Sequence, residues 1–147
     1  MFSKRTFLKS IIAGLLLAAV PAMADGYVAP PEGYVSLHYH RADGKYDGWG
    51  VHAWKRAPHA SDQPLDGVSW SSPLAPTGTD DFGPYWHMKI ADFGSTGLAH
   101  YIIHKGDSKE QKGKDMQFDT KEIKEAWVTS NDEQIYKTKE EALAATK

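Results

Sequence analysis

The sequence predicts an all-β fold, an antiparallel β-sandwich ended by a short C-terminal helix. Three observations carry this expectation. Apolar and polar residues alternate in short runs, turn-forming Gly, Pro, Asp and Ser separate those runs, and no helical pattern falls between one strand and the next.

The elements follow in order. Residues 1–24 read as an export signal: Lys4, Arg5 and Lys9 make a basic start, Ile11 to Val20 an apolar run of ten, and Ala22-Met23-Ala24 a small-x-small cleavage site. The run is shorter than the roughly 20 residues that a membrane-spanning helix needs. Ser3 to Lys9 also follows the twin-arginine pattern with a lysine in the first arginine position, and the ordinary Sec route stays open beside it. Asp25 to Gly33 forms a Pro/Gly leader that lies loose or caps an edge.

From Tyr34 the period becomes two. Val35, Leu37 and Tyr39 alternate with Ser36, His38 and His40, the mark of a half-buried strand. Asp43-Gly44 is a hairpin-type turn, and a second strand runs from about Asp47 to Lys55. Ala57 to Asp81 holds four of the eight prolines and reads as a long surface loop, with a short strand near Val68 to Ser71. Strands follow over 84–90 and 99–105, then a charged loop over 106–115, then short strands over 116–118, 125–129 and 134–137. Thr138 and Glu141 form a capping box before Ala142-Leu143-Ala144-Ala145, so the tail over 138–147 is helical.

Composition excludes several functions. The chain has 17 Lys+Arg, 19 Asp+Glu, seven His and no cysteine. Removing the signal takes three cations and no carboxylate, which leaves 14 Lys+Arg against 19 Asp+Glu. An acidic chain without a Lys/Arg block is a poor nucleic-acid ligand. The lack of cysteine removes disulfides and Cys-ligated metal sites. No second apolar stretch suggests a membrane span, and no motif calls for a cofactor.

The most informative stretch is Asp47-Gly48-Trp49-Gly50-Val51-His52-Ala53-Trp54. Strand parity puts Trp49, Val51 and Ala53 on the core face and Gly50, His52 and Trp54 outward. Trp54 beside an imidazole, with Gly50 clearing space, forms a flat aromatic surface that suits the C–H face of a sugar. The alternative is that Trp54 folds under the long loop as a satellite core residue. Lys105 to Asp115 offers cationic donors and carboxylate acceptors for hydroxyl groups, though such a charge run also suits a solvated loop. His38, His40 and His52 raise a metal site as an alternative. Carboxylates such as Asp80 and Asp81 are weighed as a pair for glycoside hydrolysis, and neighbours in sequence diverge too readily to serve.

These residues resemble a known family. His38-Tyr39-His40-Arg41, Asp43-Gly44 and Tyr46-Asp47-Gly48-Trp49-Gly50 are similar to the opening signature of the pullulanase-associated domain, the family 41 carbohydrate-binding module. Thr79 to Gly83, Ile102 to Asp107, Glu125 to Val128 and Ile135-Tyr136 continue the likeness over residues 34–137. The resemblance implies an immunoglobulin-like β-sandwich, without catalytic activity, that binds α-1,4/α-1,6-glucans such as starch, glycogen, pullulan or maltooligosaccharides. By position it implies a sugar site of His52, Trp54, Lys109 and Asp115, with Glu110 or Asp107 able to replace Asp115 if the loop shifts register. His52 stands where the family carries an aromatic ring. A smaller ring there weakens binding roughly tenfold if sugar stacking resembles the ~1–3 kcal/mol of base–aromatic contacts. Its protonation near an ordinary value of about 6.5 makes binding pH-sensitive.

The likeness leaves little of the chain for an attached enzyme. The expectation is therefore an exported, periplasmic or secreted module that works beside a separate amylolytic enzyme. A His-based metal-binding or protein-interaction role on the same sandwich is the alternative.

Overall fold

The computed structural model describes residues 26–146, so the export signal expected over 1–24 lies outside the described residues. Among the described residues nine strands form two layers. In the first sheet the order is β4 (Gly78–Thr79), β5 (Pro84–Lys89), β1 (Tyr34–His40) and β9 (Glu125–Thr129). In the second it is β3 (Gln63–Pro64), β2 (Gly50–Lys55) and β6 (Leu98–Lys105), with β7 (Ser108–Lys109) and β8 (Met116–Asp119) both on the far edge of β6. Helix α1 (Lys139–Ala145) closes the chain. The expected β-sandwich with a terminal helix is what forms.

The core lies between the sheets and follows strand parity. Val35, Leu37 and Tyr39 of β1, Trp86 and Met88 of β5, and Val128 of β9 meet Val51 and Ala53 of β2 and Tyr101 and Ile103 of β6. All of these side chains are buried, which supplies the hydrophobic drive that a chain without disulfides needs.

Four local expectations are corrected. The pairs are not all antiparallel: β1 and β9 run parallel, from Ser36 opposite Glu125 to His40 opposite Thr129. The chain reaches β9 by crossing over from β8 in the other sheet, the kind of connection parallel strands require. Asp43-Gly44 does turn the chain, with Gly44 N donating to Arg41 O at 3.1 Å. The turn makes no hairpin, however, because β1 and β2 belong to opposite sheets.

Nor is β1 half-buried. Ser36 and His38, on its outer face, are fully covered. The His38 imidazole stacks on Trp127 with centroids 3.6 Å apart and planes at 3°. Its Nε2 lies 3.2 Å from Glu125 Oε1. Tyr27 of the leader packs 5.0 Å from His38 and bonds Glu125, so this part of the leader caps the sheet. A second apolar cluster of Phe82, Trp127 and Ala142, joined by Tyr136 and Leu143, extends the cover. Residues 134–137 add a single bridge, Tyr136 to Trp127, instead of a strand. Thr138 Oγ1 accepts from Glu141 N at 3.2 Å as the capping box predicts.

Candidate functional site

Strand parity puts one row of side chains on the outer face of the second sheet. Register pairs Gly50 with His104, His52 with Ile102 and Trp54 with His100. Two indoles stand here, each against an imidazole. Trp54 lies 5.7 Å from His100 with planes at 23°, and Trp70 lies 3.8 Å from His104 at 7°. His52 sits between them, 5.9 Å from Trp54 and 5.5 Å from Trp70.

Trp54, Trp70 and His52 line a groove of about 300 Å³ together with Ile102, Pro64 and the carboxylates of Asp62 and Asp115. Burial pushes His52 and His100 below the usual imidazole pKa, so both are neutral near pH 7. Trp54 Nε1, His52 Nδ1, His100 Nε2 and His104 Nε2 are buried without a hydrogen-bond partner among the described residues.

The outward direction of Trp54 agrees with parity, but its expected exposure does not. Trp54 is 6 % exposed, because β3 pairs along β2 at Trp54–Pro64 and His100 stacks against the ring. The space at Gly50 is also filled. A Cβ there would come within 2.7 Å of Pro73 Cγ, so the glycine admits the long loop and not a ligand.

The charged loop separates its candidates. Asp115 lines the groove. Lys109 stays exposed on β7 and holds its ammonium 5.2 Å from the Trp70 ring centroid. Asp107 accepts Trp70 Nε1 at 3.1 Å. Glu110 is 4 % exposed and turned away from the groove, where it binds Arg41 Nη1 at 2.7 Å, Asn131 N at 3.0 Å and the Tyr39 hydroxyl. It therefore cannot substitute for Asp115. The loop expected to be solvated is pinned through this residue and buried Gln111.

Sequence reasoning passed over Trp70 and Asp62. Trp70 was only part of a possible short strand. Its signal is a lone indole among Ser69, Ser71 and Ser72, a residue with no apolar period to serve. Asp62 is held by a two-point bond from Arg56, Nε to Oδ1 at 3.1 Å and Nη2 to Oδ2 at 3.0 Å, which keeps its carboxyl below the usual range.

Two other constellations dissolve. His38 and His40 lie on the first sheet and His52 on the outer face of the second, so the three imidazoles cannot converge. Among the described residues no three His, Cys, Asp or Glu side chains gather for a metal. Asp80 accepts Phe82 N at 2.9 Å, while Asp81 pairs with Lys139 at 2.6 Å, so these carboxylates diverge. A larger cavity of about 450 Å³ lies by Arg41, Ser130 and Asp132. Its Arg41 guanidinium is already bound by Asp43 and Glu110, and it has no indole for a sugar to stack on.

Comparison with known proteins covers most of the described chain. The bacterial pullanase-associated domain matches residues 33–137. Over 74 residues, 50 % of this chain, the sequence is 43 % identical to an α-amylase of Streptomyces lividans, and the match spans 7 % of that protein. Ligand-free PulA from Klebsiella pneumoniae superposes with a TM-score of 0.66 at 18 % identity, over 81 % of this chain and 12 % of PulA. A structure described as alpha-glucan recognition by family 41 carbohydrate-binding modules from streptococcal virulence factors superposes with a TM-score of 0.58 at 23 % identity, over 76 % of this chain and 50 % of its own. The structural matches show a shared fold.

Proposed function

Because the chain belongs to the bacterial pullanase-associated domain family, we propose that it binds α-glucans, in the form of starch, glycogen, pullulan or maltooligosaccharides, without cleaving them. The observation that carries this reading is the groove at Trp54, where aromatic faces and carboxylates line one cleft on the outer face of the second sheet.

The chemistry follows from the side chains. A glucose ring lays its C–H face on the Trp54 indole once the cover over that buried ring moves aside. Asp115 accepts from hydroxyls at the ring edge, Lys109 donates to them, and neutral His52 does either. His52 contributes less stacking area than an indole and more hydrogen bonding. Glycoside cleavage needs one carboxylic acid held protonated. Asp62 is driven the opposite way by Arg56, so it does not supply that acid. We assign the chain the work of holding glucan for an amylolytic enzyme, outside the cytoplasm, in the periplasm or secreted. The basic, apolar N-terminal segment supports that location.

Electrophoresis through native gels containing glycogen or pullulan tests the reading. The protein is retarded, and Trp54→Ala restores its mobility. Equal mobility with and without polysaccharide contradicts it.

A further inference from the structure

We propose that Trp70 is a second sugar-stacking surface of the groove, capped by the Lys109 ammonium until a glucan displaces it. The proposal rests on the α-glucan reading above and extends it from one stacking ring to two, set apart by His52.

Trp70 stands on a built support. Ser69 and Ser72 close a tight turn by two reciprocal backbone hydrogen bonds, each 3.1 Å, with Trp70 at the tip. Leu65 and Val68 anchor the chain before the turn in the core. Leu74 anchors it after the turn, exchanging bonds of 2.8 and 3.1 Å with Val51. Trp86 Nε1 then donates to Leu74 O at 2.9 Å. The indole orientation is fixed separately, by the His104 stack and the bond to Asp107. All this ordering serves a side chain that belongs to neither apolar cluster and stays partly exposed.

One face of the ring is taken by His104, which lies parallel to it. Lys109 therefore occupies the other, as a cation drawn to the negative π face. Lys109 is exposed and on a flexible stem, so it can leave that face for the ring edge. There it donates to the hydroxyls of the sugar that replaced it. The same lysine thus acts as cap in the free protein and as hydrogen-bond donor in the complex.

The placement also answers the loss at His52. The imidazole lies edge-on to Trp70, at 66°, and at 34° to Trp54, so the two indoles are not coplanar. Two inclined faces with a polar ring between them fit successive units of a curved α-linked oligosaccharide better than a single glucose.

The test is a titration of the wild-type protein with maltotetraose, following the tryptophan indole N–H resonances, together with affinities for Trp70→Ala, Trp70→Phe and Trp54→Ala. The proposal expects the Trp70 resonance to shift saturably with that of Trp54. It expects Trp70→Ala to weaken binding about tenfold or more and Trp70→Phe by less. Unchanged affinity in Trp70→Ala, with binding still lost in Trp54→Ala, overturns the second surface and leaves the α-glucan reading standing. Tighter binding in Trp70→Ala makes the indole a plug and also overturns it. If Trp70→Ala does not fold, the wild-type Trp70 resonance and Trp70→Phe decide. A wild-type protein silent to maltotetraose overturns both readings.

Discussion

Pro73 sits directly on Gly50: a Cβ added to the glycine would lie 2.7 Å from Pro73 Cγ and 3.1 Å from Leu74 O. This contact joins β2 to the loop that carries Trp70. Replacing Gly50 with alanine forces the proline and the backbone beyond it outward. Overpacking of this kind costs about 1–3 kcal/mol. Urea unfolding of Gly50→Ala is expected to show that loss, and glucan affinity falls with it because the Ser69–Ser72 turn moves. A Gly50→Ala protein as stable as wild type would mean that the loop yields freely.

Glu110 is the buried tie between the charged loop and β1. Its carboxylate accepts from Arg41, Asn131 N and Ser130 Oγ, the last at 3.0 Å. Glu110→Gln takes the buried counter-charge from the Arg41 guanidinium, which keeps the exposed Asp43, whereas breaking a buried pair outright costs about 3–5 kcal/mol. The discount for Arg41, 18 % exposed at its side chain, puts the expected loss at the lower end. Calorimetric melting of the variant checks this. Because Lys109 is the adjoining residue, its contact with Trp70 loosens in the same variant.

Acid destabilises the fold in two stages. Burial holds His52, His87 and His100 below their ordinary value of 6.5. The unfolded chain therefore takes up protons first, so their stability contribution is complete above pH 6.5 and is lost as pH falls below it. The bond from His38, with burial opposing it, holds the Glu125 carboxyl below its ordinary 4.5. That contribution persists above pH 4.5 and disappears below. Melting temperatures recorded from pH 8 to pH 4 are expected to be level at first, then to fall from about 6.5 downward and more steeply below about 4.5. A melting temperature that rises between pH 7 and pH 5.5 contradicts the histidine assignment.

Much of this architecture is written locally in the sequence. Alternation locates β1 and β9 because their apolar residues face one core. Parity alone turns Val51 and Ala53 inward and His52 and Trp54 outward, and Thr138 with Glu141 marks the helix start. What local pattern does not carry is contact between distant segments. The parallel pairing of β1 with β9, and the stacking of His38 on Trp127, depend on elements roughly ninety residues away. Trp54 reads as exposed because the strand covering it, Gln63–Pro64, is two residues long and lacks any period. Trp70 and Glu110 stand in loops, where side-chain direction has no rule of two to follow. The residues implied by family resemblance fare similarly. His52, Trp54 and Asp115 meet in the groove, and Lys109 reaches it only through Trp70.

Isothermal titration of the wild-type protein and of Trp54→Ala with maltotetraose tests α-glucan binding at Trp54. Saturable binding is expected of the wild type, weakened about tenfold or more in Trp54→Ala, with both proteins folded by near-ultraviolet circular dichroism. No binding by the wild type at millimolar sugar, or equal affinity in the two proteins, would contradict it.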